Sequence, residues 1–308
     1  MRKKITAIVL TALFIFMILK PEIILEGAKS GILLWFEAVM PSLLPYMIIS
    51  GLVISAGFSG EMAFIMKPVA GLFRVNTSSA YCILSGIFFG YPSCAVSAAQ
   101  MYKNGMIDKD TACFCACAFN NIGPAFIAGF FCTGILKDTS AIVPVLILFY
   151  IILLLSTTTI RFCFFRKLSG GSEVKPMAKA PAGNIFDTAI MSALTNIAKL
   201  GGYIVVFSII AAVISLIPWK YTGLLCGLAE VTTGIERLSW VFADKRLLIM
   251  LVMPLLSFGG ISGIFQTFGV DTDGIIDKRK YIISKLTAAT VSAAVSYIAI
   301  YVLGIVGK

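Results

Sequence analysis

The sequence predicts an all-α polytopic membrane protein, made of two inverted-topology repeats with broken or re-entrant helices and preceded by an extra N-terminal helix. Three observations predict it. The chain is 59% hydrophobic and only 13% charged over 308 residues, with mean hydropathy +0.97, whereas a soluble domain carries about 25% charged residues. Apolar runs long enough to span a bilayer are interrupted by Gly, Pro and polar residues at matching intervals in the two halves. The basic residues gather in short connections, the pattern of cytoplasmic loops. The net charge of +10, from 25 Lys and Arg against 15 Asp and Glu, is therefore read as loop bias beside a lipid bilayer and not as a nucleic-acid surface.

The same composition narrows the chemistry. There is no histidine, which removes the commonest general base and metal ligand. The cysteines at 82, 94, 113, 115, 117, 132, 163 and 226 lie in or beside apolar segments, and those in "CFCAC" recur every second residue, unlike a CxxC zinc site. They read as small apolar packing residues. No Ser/His pair, HExxH or paired Asp motif is present. The sequence therefore predicts no catalytic residue, no metal site and no cofactor.

Along the chain, "MRKKITAIVLTALFIFMILKPE" has a basic head and a short apolar run without a cleavage site, so it reads as a first membrane helix with its basic end inside. Residues 31–58 form a long apolar segment carrying Pro41 and Pro45, and 61–77 look interfacial. Residues 78–102 are apolar but broken by "GYPS", and 111–135 are broken by "NNIGP". A clean span follows from about 141 to 160. The stretch around 163–183 is the one long polar segment, basic and Gly/Ser/Pro-containing, and reads as a flexible cytoplasmic linker. The second half repeats the pattern: an apolar segment from 203, breaks at "EVTTG" and "FGGISG", then a last span over 281–303. The organisation expected is an N-terminal helix and connection (1–30), a first repeat (31–162), the linker (163–183) and a second repeat (184–308).

The repeat rests on alignment. "FNNIGPAF" at 119–126 matches "FGGISGIF" at 258–265 with an offset of 139, and the same offset carries "GYPSCA" onto "AEVTTG". With the N-terminus and the basic linker inside, corresponding spans run in opposite directions, as in the inverted repeats of many secondary transporters. Broken helices cannot face lipid, because each unsatisfied amide there costs several kcal/mol. They are tolerated where they line a cavity, and half-helix ends then present partial charges to a solute.

The candidate substrate-binding residues are those at or beside the breaks: Gly90, Tyr91, Pro92, Ser93, Asn120, Asn121, Gly123, Glu230, Thr232, Thr233, Gly259, Gly260, Ser262 and Gln266, with Lys199 as an intramembrane charge. Each has a plainer reading. Asn120 and Asn121 could glue helices by hydrogen bonds, the glycines could serve close packing, Lys199 could snorkel to the interface, and Glu230 could pair with Lys199 or Arg237.

At "PSLLPYMI", "SGIFFGYPSCAVSAAQMYKNGMI" and "FNNIGPAFIAG" the chain resembles the YlbJ/SpoVV family of sporulation integral membrane proteins with nucleoside-recognition, or Gate, domains; "EVTTGI" and "SFGGISGIFQ" fit the same pattern. The resemblance covers roughly residues 30–304. It implies a fold related to concentrative nucleoside transporters. For the SpoVV branch it implies movement of dipicolinic acid across the outer forespore membrane. Gate domains also occur in spore maturation proteins and ferrous iron transporters, so the domain alone does not fix the substrate. The expectation is a multi-pass membrane transporter of a small organic anion or a nucleoside-like solute, working by alternating access. The rival reading is a non-transporting membrane scaffold. A homo-oligomer is compatible with either.

Overall fold

The computed structural model describes residues 11, 14–56, 58, 61, 63–168, 185–271 and 273–302. Most of the expected first helix (1–10, 12 and 13) and of the linker (169–184) lies outside the described residues. The described chain is all-α, with no strand. Five of its helical runs are long and apolar enough to cross a membrane: Lys109–Ile135, Thr139–Phe164, Ile185–Ile214, Lys245–Val270 and Lys278–Tyr301. The protein is a multi-pass membrane protein.

The first long element starts at Pro21, where the absent N–H costs nothing because a first-turn amide has no intrahelical acceptor. Helix α1 (Pro21–Leu33) continues through a π-helical stretch, Leu34–Val39, into α2 (Met40–Ser55). The expected division at residues 30 and 31 is therefore not a break, and Gly31 sits inside α1. Its role is contact. A Cβ at Gly27 would lie 2.9 Å from the Ile209 Cα, and one at Gly31 would lie 2.9 Å from the Val205 Cα. Both partners are on α9, the 30-residue helix Ile185–Ile214. Small residues let two backbones touch in this way inside a membrane. Nearby, Trp35 donates its Nε1–H to the Ile197 carbonyl at 2.9 Å and lays its ring on Gly201. Gly31→Leu should force α1 off α9 at a cost of about 1–3 kcal/mol, read as a lower melting temperature in detergent.

The rest of the first half runs α3 (Lys67–Leu72), α4 (Ala80–Phe89), α5 (Ser93–Lys103), α6 (Lys109–Phe119), α7 (Pro124–Phe126, continuing as a π-helix over Ile127–Ile135) and α8 (Ile142–Phe164). After α9 come α10 (Thr222–Ala229), α11 (Val231–Val241), α12 (Lys245–Phe258), α13 (Gly260–Val270) and α14 (Lys278–Tyr297, then a π-helical end, Ile298–Val302). Carboxylates set several starts by accepting first-turn amides: Asp108 from Thr111 at 2.8 Å, Asp244 from Arg246 at 2.9 Å and Asp277 from Arg279 at 2.9 Å.

Two pairs are tight hairpins. In α10 and α11, Gly223 meets Leu238 and Gly227 meets Gly234, so the chain doubles back at Glu230. In α4 and α5, Gly86 meets Cys94, and the Cys82 and Met101 sulfurs lie 3.3 Å apart, so it doubles back at residues 90–92. Helices α6–α7 and α12–α13 are the two broken spans. The contacts of their ends give their directions. Asp138, after α7, accepts from Lys245 at the start of α12 at 2.7 Å. That hydrogen bond holds the Asp138 carboxyl down to about 2. The start of α14 reaches the start of α6, where the Asp277 N–H lies 3.4 Å from the Cys113 sulfur. Lys280 sits 4.9 Å above the Phe165 ring at the end of α8. Thus α7 ends where α12 begins, and α8 ends where α14 begins.

The buried core is shared. One cluster joins Tyr81, Phe114 and Phe119 to Phe258, Ile264 and Tyr281, and the other joins Ile127, Phe131 and Ile152 to Ile235, Val252 and Leu256. The two halves interlock and do not pack as separate globules.

Candidate solute site at the helix breaks

The breaks lie against one another because each needs a partner for its freed backbone. Gly90 has φ +81, and a Cβ there would lie 2.4 Å from the Gly123 nitrogen, so the first hairpin tip is pressed onto the α6–α7 break. The Tyr91 N–H donates to the Asn121 carbonyl at 2.6 Å. The second half repeats the device. Gly260 has φ +71, and its Cβ position is 3.3 Å from the Ala229 carbonyl and 3.4 Å from the Val231 nitrogen, so the second tip sits on the α12–α13 break. Gly259, with φ +79, ends α12 in the left-handed conformation that glycine adopts without steric cost. Tyr91 then crosses between the halves. Its ring is 3.4 Å from the Cβ position of Gly259 and 3.2 Å from that of Gly263, and its hydroxyl is 3.5 Å from the Gly259 carbonyl.

Behind the tips lies a buried polar core. Asn120 donates its Nδ2–H to Thr267 Oγ1 at 2.9 Å and to the Tyr281 hydroxyl at 3.2 Å, and its Oδ1 faces the Ala95 N–H at 3.4 Å. The Thr267 and Tyr281 hydroxyls are 3.0 Å apart. Asn121 donates to the Ala118 carbonyl at 2.9 Å and accepts from the Lys285 ammonium at 2.9 Å. The same ammonium donates to the Asn120 main-chain carbonyl. Lys285 is only 2% exposed.

In front of the tips is a cavity of about 470 Å³. Tyr91, Ile122, Gly123, Glu230, Val231, Thr232 and Gln266 form its polar end, and Phe88, Phe89, Phe126, Phe130, Leu200 and Ile204 line much of the rest. Three of the four breaks thus open onto one space. Glu230 is buried and caps α11, accepting the Thr233 N–H at 2.8 Å and the Thr233 hydroxyl at 3.0 Å. The positive end of α11 favours a carboxylate there. Gln266 turns its amide N–H to Ser262 Oγ at 2.9 Å. A smaller space of about 90 Å³ lies between α2, α5 and α9, where Ser93, Gln100, Ser192 and Asn196 supply polar groups.

Of the residues singled out in the sequence, Tyr91, Gly123, Glu230, Thr232 and Gln266 come together on the main cavity. Gly90, Pro92, Gly259 and Gly260 shape the turns behind it. Ser93 lines the smaller space, and Ser262 and Thr233 hold Gln266 and Glu230. Asn120 and Asn121 turn away from the cavity into the polar core, where neighbouring helices occupy their hydrogen-bonding groups. Lys199 is a correction: its side chain is exposed on the outer face of α9, one residue before the cavity-lining Leu200. Glu230 pairs with neither Lys199 nor Arg237, since the ion pair among the described residues is Lys245–Asp138. Arg237 instead lies 5.4 Å from the Trp240 ring. Lys285, Tyr281 and Thr267 were missed. A lone lysine four residues into a span read as clean was the available signal.

No family model and no solved structure matches the chain. Across 94% of its length it is similar to the sporulation integral membrane protein YlbJ of Bacillus subtilis (strain 168), with 24% identity over 82% of that protein. The likeness extends over nearly the whole chain and is to an integral membrane protein, in keeping with the five membrane-crossing helices.

Proposed function

We propose that the protein carries a small organic solute across the membrane by alternating access between two inverted repeats, one holding α4–α8 and the other α10–α14. The observation that carries the reading is the cavity onto which the helix breaks converge. Helix breaks are costly in a bilayer, and a scaffold has no need to gather three of them around an internal space. The opposed directions of α8 and α14, and of the two broken spans, support the inverted repeat.

The wall chemistry bears on the solute. Glu230, Gln266, Thr232 and the Tyr91 hydroxyl offer acceptors and donors beside four phenylalanine rings, and the described lining holds no Lys or Arg. That set suits a neutral or cationic ring-bearing solute of the nucleoside type, with Glu230 accepting its hydrogen bonds. A dicarboxylate such as dipicolinate is the second reading, favoured by the sporulation role named for the Bacillus relative. It would need a cation bound beside Glu230 to offset the carboxylate.

Uptake into vesicles containing the purified protein tests this, with uridine and dipicolinate as separate substrates. Glu230→Gln should lower uridine uptake about tenfold or more, the loss of a charged hydrogen-bond acceptor. If dipicolinate is the solute, the same change should leave its uptake intact or raise it. Wild-type vesicles that take up neither a small anion nor a nucleoside would refute transport.

A further inference from the structure

Lys285 is a charged group that the solute cavity does not use. Its ammonium is buried under the hairpin tip, and its described acceptors are a main-chain carbonyl, at Asn120, and an amide oxygen, on Asn121 at 2.9 Å. Tyr281, one turn earlier on α14, brings its ring centre to 5.5 Å. No described carboxylate forms an ion pair with it. The acceptors belong to the C-terminal end of α6, which carries the negative end of the helix dipole and carbonyls without intrahelical donors. Unwound carbonyls, an amide oxygen and a helix C-terminus are the groups with which broken membrane helices coordinate Na⁺.

We propose that the Lys285 ammonium is a tethered monovalent cation: it fills, from the opposite half of the chain, a cation site at the α6–α7 break. The group that fills the site is then part of the chain itself, and the protein needs no free alkali ion to hold this break in shape. Lys285 is a positioning residue here. It fixes the Asn120–Asn121 turn, and that turn fixes the Tyr91 N–H and with it the hairpin tip.

The physical logic separates charge from bulk. Removing the side chain down to Cβ should leave oxygens facing an empty space, which a small cation can enter. Replacing it with an apolar side chain of similar length should leave the same oxygens unsatisfied but the space closed. The melting temperature of purified protein in detergent reads the difference, at constant ionic strength, in choline chloride, NaCl, KCl and NH₄Cl. Wild type should melt at the same temperature in all four. Lys285→Ala should melt lower in choline and regain several degrees, saturably, in NH₄Cl or in one of the alkali salts. Lys285→Met should melt lower and show no such recovery.

A saturable rise of the melting temperature with Na⁺ or K⁺ over choline that persists in Glu230→Gln, where a cation beside Glu230 is ruled out, would overturn the proposal, and this arm stands even if neither Lys285 variant folds. So would Lys285→Ala showing no cation-specific recovery, or Lys285→Met matching wild type in choline. None of these readouts involves solute uptake, so the proposal and the transport reading can fail independently.

Discussion

Gly234→Ala should prevent the protein from reaching its folded state, or lower its stability by about 3 kcal/mol or more, at the upper end of what overpacking costs. The reason is in the α10–α11 hairpin. A Cβ at residue 234 would lie 2.2 Å from the Gly227 Cα, 2.3 Å from its nitrogen and 2.7 Å from the Gly223 carbonyl. All three are backbone atoms, so no side chain can turn aside. Relief would require α10 and α11 to separate, and their separation would carry Glu230 away from the cavity and release the Ala229 and Val231 backbone from Gly260. Size-exclusion profiles and melting curves of detergent-purified protein measure the effect. Gly202→Ala is the control, since a Cβ there meets nothing within 4 Å. A Gly234→Ala protein as stable as this control would show that the hairpin is not closed as described.

Asn120→Ala should destabilise the protein by about 2–4 kcal/mol while leaving the affinity for any transported solute within about twofold, provided the folded fraction is accounted for. Asn120 is wholly buried. Its loss removes the side-chain acceptor of the Ala95 N–H and a donor to each of the Thr267 and Tyr281 hydroxyls in a buried site, where an unsatisfied polar group costs about 1–3 kcal/mol. Thr267 retains its own bond to the Gly263 carbonyl at 2.8 Å, which keeps the total below the simple sum. A large drop in solute affinity with unchanged melting temperature would place Asn120 on the cavity after all.

These two expectations differ in how visible their residues were in the sequence. The breaks were legible, because Gly, Pro and Asn in an apolar run are hard to explain except as a broken helix, and the matched spacing located all of them. Tyr91, Gly123, Glu230, Thr232 and Gln266 followed from lying at or near breaks. The direction in which the Asn pair points was not legible, since it is decided by partners on α13 and α14 that are 147 and 164 positions away for Asn120 and Asn121. Lys285 was lost for a different reason: with this lysine among them, residues 278–301 remain apolar enough to read as a plain span. Lys199 misled because a charge inside an apolar segment usually serves function. In fact α9 is continuous there, and helical rotation turns residue 199 outward while 197 and 200 face in. Pro41 and Pro45 sit in an unbroken helical run that includes a π-helical stretch and begins well before residue 31.

The hairpins have an electrical consequence. Their four helices have 10, 11, 8 and 11 residues, or about 12–17 Å at 1.5 Å per residue. The hydrocarbon core is about 30 Å thick, so each tip stops near mid-depth. Tyr91 lines the main cavity and Ser93, two residues on, lines the small polar space, so the first hairpin tip touches both. If the two spaces open to water on opposite faces of the membrane, most of the membrane voltage falls across that tip. A unit charge moved past Tyr91 would then exchange nearly the full 2.3 kcal/mol per 100 mV of the whole bilayer, in a step only a few ångströms long. On the transport proposed above, applied voltage should therefore drive the turnover of a charged solute steeply and leave that of a neutral one almost flat.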